Sequence, residues 1–130
     1  MQDAIIAIDQ GTSSTRAVLF NIKLSTIHIE QENINTLYPA NGWVEQDAND
    51  LWKKTLLVTK NIISYAKSKN INVLSIGITN QRETIVAWNK DTGKVLSKAI
   101  IWQDRRTKDK CNELIINGFN KTINNKTGLL

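Results

Sequence analysis

Three short stretches of this 130-residue chain carry side chains suited to holding an anion and a small polar molecule. The first is Asp9-Gln10-Gly11-Thr12-Ser13-Ser14-Thr15-Arg16, a turn between the apolar runs 4–8 and 17–20. A carboxylate at a strand end can hold Mg2+ through retained waters, because that ion prefers hard oxygens and dehydrates reluctantly. Gly11 permits close approach of a ligand or a positive φ. Thr12, Ser13, Ser14 and Thr15 bring hydroxyls, and successive backbone N–H groups can form an anion-binding nest. Arg16 adds a cation whose fork matches phosphate. The stretch is not a Walker A loop: no Lys-Ser/Thr follows a second glycine, and a strand follows where that loop needs a helix. The same residue types also make an ordinary polar hairpin turn. The turn alone leaves both readings open.

The second stretch is Asn80-Gln81-Arg82-Glu83-Thr84, after an apolar run. Arg82 supplies only donors and an ionised Glu83 only acceptors, which together match the hydroxyls of a polyol. Spacing alone favours a surface ion pair of little worth. The third is Trp102-Gln103-Asp104-Arg105-Arg106-Thr107. Trp102 can cover the carbon face of a polyol or sit in the core, and Asp104 can cap a helix. Here too spacing alone favours the structural role.

The elements that must carry these stretches follow from periodicity. Residues 4–8 suit a strand buried on both faces, and 18–20 continue a second strand to a turn near 23–25. From Ile27 a half-exposed strand alternates Ile27, Ile29 and Gln31 against His28, Glu30 and Glu32, with His28 on the exposed face. Residues 38–46 hold the only proline and read as a loop. Asp47 caps a helix over 48–68 whose apolar stripe is Leu51, Trp52, Leu56, Thr59, Ile62, Ile63 and Ala66, with Trp52 in the core. A buried strand over 73–79, a strand over 84–88, a hairpin turn at 89–93 and a short strand over 98–102 follow. A helix over 105–117 closes at Gly118, with a further short helical stretch before Thr127. This order of strands, crossover helix, strands and helix is an α/β layout with a mixed sheet.

Length fits one domain, and 41% hydrophobic residues support a core. The net charge of +5 comes mostly from dispersed lysines, which read as solvated surface rather than a nucleic-acid interface. No apolar run approaches a membrane span, and no signal-peptide core is seen. The lone Cys111 cannot form an internal disulfide, fits a reducing cytoplasm and reads as a buried helix residue.

Taken together and in order, the three stretches, Gly42-Trp43-Val44-Glu45-Gln46-Asp47, and the closing Asn125-Lys126-Thr127-Gly128-Leu129 resemble the N-terminal part of the FGGY carbohydrate kinases. Gly77-Ile78-Thr79-Asn80-Gln81-Arg82-Glu83-Thr84 is similar to the glycerol kinase form rather than the xylulose or gluconate forms. The resemblance implies the first part of an actin/hexokinase/Hsp70-like (ribonuclease H-like) ATPase fold. It implies ATP-dependent phosphorylation of glycerol to sn-glycerol 3-phosphate. Asp9 would position Mg2+ through water; Thr12, Ser13, Ser14 and Arg16 would meet the phosphates of ATP. Arg82 and Glu83 would bind glycerol hydroxyls, and Trp102 would wall the pocket.

The resemblance also places a general-base aspartate, a pocket-closing tyrosine and the adenosine-binding loops beyond Leu130. Residues 1–130 are therefore expected to form an incomplete N-terminal domain that does not turn over glycerol alone and that self-associates through uncovered surface. The expected partners are glycerol and ATP/ADP, with no nucleic acid and no membrane span, and a homo-oligomeric parent stays open. Another FGGY sugar kinase, a non-catalytic interaction module and, far behind, a basic nucleic-acid-binding domain are the competing readings.

Overall fold

The computed structural model describes residues 2–129 of the chain. β1 (Gln2–Gln10) and β2 (Ser14–Asn21) form a hairpin, and β3 (Thr26–Asn33) pairs antiparallel with β2. Two short strands follow, β4 (Thr36–Leu37) and β5 (Glu45–Gln46). α1 (Ala48–Ser68) then crosses the sheet and delivers β6 (Ile71–Asn80) parallel to β1. The main sheet is therefore mixed, in the order β3-β2-β1-β6. β7 (Ala99–Ile100) joins the short strands in a second sheet, β4-β5-β7, and α2 (Lys108–Ile116) and α3 (Phe119–Thr127) close the order.

α1 forms where its cap and stripe require. The Asp47 carboxylate accepts the Asn49 and Asp50 N–H groups at 2.8 and 3.3 Å, satisfying donors that the first helical turn leaves orphaned. Leu51, Val58, Ile62 and Ala66 form its buried face. Val58, Ile62 and Ala66 pack on Ala4, Ile6, Ile8, Ala17 and Leu19, alternate residues of β1 and β2. The opposite face of the sheet carries no helix, so Ile5, Ala7, Val18 and Phe20 are only half-buried.

Several expectations need correction. His28 is not on the exposed face: its ring stacks on Tyr65 of α1 at 3.8 Å, and Nε2 lies 2.7 Å from Glu30 Oε1. A β-bulge is the cause. Leu19 pairs with His28 but Phe20 pairs with Thr26, so Ile27 is an extra residue and the alternation beyond it inverts. Trp52 is exposed rather than core, because it lies one 100° step round the helix from Leu51. Cys111 is exposed, on a helix that buries none of its residues.

The apolar run 73–79 is an edge strand and not a buried one. α1 covers β1 to β3 but reaches only the start of β6, leaving Ile76 and Ile78 exposed beyond it. Residues 84–88 form no continuous strand but make single bridges to two different segments, Ile85 with Ile100 of β7 and Trp88 with Val95 across the turn at 89–93. Glu45 and Gln46, read as loop, are the central strand of the small sheet, and the helix expected from 105 starts at Lys108.

The two edges of the main sheet differ. β3 presents Glu30 and Glu32, which discourage pairing with another chain, whereas β6 carries no charge at all. The protein is expected to self-associate with rising concentration through β6, and Ile78→Lys to return it to a monomer without lowering its melting temperature. Light scattering coupled to gel filtration checks this; a wild-type monomer at high concentration with a sharp thermal transition would refute it.

Candidate functional site

The three chemical stretches meet at the C-terminal ends of β1 and β6. Gly11, Thr12, Asn80, Gln81, Arg82, Glu83 and Trp102 line one open cavity of about 400 Å³. Residues distant in the chain converge there because β1 and β6 run parallel and end together, with Gln10 opposite Asn80.

The first turn is tight. The Gly11 N–H donates to the Ser14 carbonyl at 3.0 Å, and a Cβ on residue 11 would sit 2.9 Å from that oxygen. Glycine is thus required for close backbone approach, not for a positive φ. Thr12 and Ser13 follow with backbone N–H groups that have no acceptor among the described residues. Thr15 does not join them: it is fully buried, its hydroxyl 3.3 Å from that of Thr55 on α1. Asp9 and Arg16 are cross-strand partners, both exposed on the face without a helix, and Thr79 lies beside Asp9 on β6. Asp9, Ser13, Ser14 and Arg16 are not among the residues that line the cavity.

Two glutamines that sequence reasoning passed over hold this turn in place. Gln46 is fully buried and Gln81 nearly so. Gln46 Nε2 donates to the Thr12 carbonyl at 2.7 Å and to Thr36 Oγ1 at 2.9 Å. Gln81 Nε2 donates to the Gly11 carbonyl at 3.0 Å and to Gln46 Oε1 at 2.9 Å, and its own Oε1 accepts from Thr84 Oγ1. The usable signal was Gln46 two residues on from the apolar Val44, hence on the same side of an extended segment. Past Gln81 the chain bends sharply, and Glu83 takes a φ of +64°. A non-glycine residue in that region stores strain, a feature that concentrates at functional sites.

Trp102 reaches the turn from the other side. It is half exposed, so it is neither core nor fully covered, and its Nε1–H donates to Thr12 Oγ1 at 2.9 Å. Its loop is locked by Asp104, which caps no helix. Asp104 Oδ2 accepts the Val44 N–H at 2.7 Å, and its two oxygens pair with the Arg106 guanidinium. Arg106 also reaches Glu45 at 2.7 Å and lies 3.9 Å over the Trp43 ring. The Arg106 hydrogen bonds hold the Asp104 carboxyl well below the usual carboxylate range, against desolvation, with the Val44 and Arg106 N–H groups adding to the shift.

Among the described residues no cluster of three metal-ligating side chains occurs, and no ion pair engages Asp9. A single free carboxylate beside exposed backbone N–H groups suits Mg2+ that keeps its waters and takes phosphate oxygens as its other ligands. It does not suit a closed protein cage. None of the helices among the described residues is long and apolar enough to cross a membrane.

Residues 4–130 match the N-terminal domain of the FGGY family of carbohydrate kinases. Over 130 residues the chain is 47% identical to the glycerol kinase of Geobacillus kaustophilus and 46% identical to that of Thermus thermophilus, covering 26% of each. It thus spans about a quarter of the length of the curated relatives it matches. Among solved structures it resembles Plasmodium falciparum glycerol kinase with ADP, with TM-score 0.81 and 32% identity over 86% of this chain and 22% of that one. Gluconate kinase from Lactobacillus acidophilus has TM-score 0.86 and 21% identity over 99% and 25%, which speaks for the fold alone.

Two outcomes follow for the scaffold. Gln46→Leu orphans the Thr12 carbonyl and the Gln81 amide, and should cost about 2–4 kcal/mol in chemical denaturation, the scale of buried groups left unpaired. Asp104 has a folded pKa below its unfolded value, so its contribution is fully present above about pH 4 and is lost as pH falls through the folded value. Asp104→Asn should therefore lower the melting temperature near neutrality and flatten the acid limb of the stability profile.

Proposed function

The chain belongs to the FGGY family of carbohydrate kinases, and from that premise we propose that it supplies the phosphate turn and half of the polyol pocket of an ATP-dependent glycerol kinase. Its fold is the actin/hexokinase-like ATPase fold of its structural relatives. One observation carries the reading: the Gly11-Thr12 turn, the Arg82-Glu83 pair and Trp102 border a single cavity. An anion site and a polyol site are thereby adjacent, as transfer of a phosphoryl group to a hydroxyl demands. Glycerol is favoured over larger sugars because, among the solved structures, identity is 32% to glycerol kinase against 20–25% to the xylulose and gluconate kinases, alongside 44–47% to curated glycerol kinases.

In this reading the Thr12 and Ser13 N–H groups and the Thr12, Ser13 and Ser14 hydroxyls donate to phosphate oxygens, and Arg16 offsets their charge. Arg82 donates to glycerol hydroxyls, Glu83 accepts from them, and the Trp102 ring covers the carbon chain. A glycerol hydroxyl oxygen bonds to the γ-phosphorus as the bond to the bridging oxygen breaks, giving ADP and sn-glycerol 3-phosphate. The hydroxyl proton passes to a carboxylate base that the family resemblance places beyond Leu130. Asp9 would hold Mg2+ through water, and the ion when bound would neutralise charge on the phosphates. A cytoplasmic setting fits ATP as co-substrate and the exposed, unpaired Cys111.

The test is ADP release coupled to NADH oxidation, with glycerol, xylulose and gluconate as acceptors. A longer polypeptide that carries this segment should turn over glycerol, while residues 1–130 alone should not. Arg82→Ala should cost about 1.5–3 kcal/mol of binding, a rise of roughly ten- to a hundredfold in the KM for glycerol. Preference for xylulose or gluconate would overturn the substrate assignment, and glycerol-dependent turnover by residues 1–130 would overturn the division of the site.

A further inference from the structure

We propose that Trp102 is a positioning residue for the phosphate turn and not only the wall of the polyol pocket. The inference rests on the functional reading above and adds a coupling between its two subsites. The Thr12 hydroxyl has one hydrogen and two lone pairs. It accepts from Trp102 Nε1–H at 2.9 Å, which turns its own hydrogen away from the indole. The Thr12 carbonyl is taken by Gln46 and the Gly11 carbonyl by Gln81. The Thr12 hydroxyl and the Gly11 and Thr12 carbonyls are thus engaged by protein donors, as is the Ser13 carbonyl by the Ile34 N–H, while among the described residues the Thr12 and Ser13 N–H groups and the Thr12 O–H stay unused. The backbone of the turn therefore presents donors to an incoming ligand, which is what a phosphate oxygen needs.

Without the indole N–H, the Thr12 hydroxyl is free to rotate and present a lone pair to the phosphate, which repels it. Trp102 therefore ties the two subsites: its ring face addresses the polyol and its ring edge fixes a donor for the anion. Trp102→Phe separates these roles, since it keeps an aromatic face and deletes the donor.

The experiment follows amide and indole resonances of the isotopically labelled 130-residue chain during titration with Mg·ADP and, separately, with glycerol. The expected result is a saturable shift of the Thr12 and Ser13 amides with Mg·ADP. Trp102→Phe should weaken that midpoint roughly threefold to tenfold, the range of one neutral hydrogen bond, while the glycerol midpoint read at Arg82 and Glu83 moves less, because an aromatic face is kept. Thr12→Val should cause a similar loss of Mg·ADP affinity and move the Trp102 indole proton to a free-indole position. The double variant should lose no more than either single one, because both remove the same bond.

An unchanged Mg·ADP midpoint in Trp102→Phe, additive losses in the double variant, or an equal loss of Mg·ADP and glycerol would each overturn the inference. Absence of any saturable Mg·ADP response in the wild type would remove the phosphate site itself, and with it both the inference and the functional reading. The wild-type titration alone tells that failure apart from the others.

Discussion

Gln46 and Gln81 share one hydrogen bond in the interior, 2.9 Å from Nε2 to Oε1, and the site is assembled around it. Gln46 belongs to the small sheet, Gln81 to the loop after β6, and each donates to a carbonyl of the turn after β1. Three segments are thereby tied together by two side chains, beyond the β1–β6 pairing that brings the turn and the loop side by side. Neutral amides suit this place. Each carries donors and an acceptor, so a chain of them can be satisfied without leaving a buried charge. An ion pair there would carry a desolvation cost that can exceed its attraction.

A second lock is charged, and it sits where water still reaches. Asp104, Arg106 and Glu45 join the Trp102 loop to β5, and Trp43 covers the guanidinium. β5 is the shared part: Glu45 faces this cluster while Gln46, one residue on, faces the amide pair, as alternation along a strand requires. The two-residue strand is therefore the piece that aligns the polyol wall with the phosphate turn. The same strand was hidden in the sequence, inside a loop marked by Pro39 and Gly42.

What was legible depended on whether the physics was local. α1 was read to its last residue because the Asp47 cap and the stripe through Ile62 and Ala66 are properties of the helix alone. Arg82 beside Glu83 was less legible, since spacing alone favours a surface ion pair, and only the parallel pairing of β1 and β6 sets the two beside the Gly11-Thr12 turn. Burial was less legible too. Val73 to Thr79 is apolar enough to be buried, but apolarity does not say whether anything lies over it, and here α1 passes to one side. Trp52 and Cys111 failed for the same reason, each needing a neighbour that no spacing reveals. His28 failed through a single bulged residue, which reverses every side chain after it. Gln46 and Gln81 were missed because amides in polar motifs read as surface.

The residues proposed to meet ligands and those beneath them differ in burial. Asp9, Ser13, Arg16, Arg82, Glu83 and Trp102 are exposed and Thr12 and Ser14 half-buried, whereas Thr15, Val44, Gln46, Gln81 and Ile101 are buried. Residues 2–129 thus supply the geometry of this part of the site and little exclusion of water. Two unit charges 4 Å apart attract by only about 1 kcal/mol in water, and by about four times that at a protein surface of lower effective dielectric. On the proposed reading, a phosphate on this turn would be oriented more than stabilised. The extra stabilisation of a transition state must come from whatever surface excludes water from the cavity. Asp9 and Arg16 project from the same helix-free face of the sheet that leaves Ile5, Ala7, Val18 and Phe20 half-buried. A surface that covered that apolar face would for this reason also exclude water from Asp9 and Arg16, which share it.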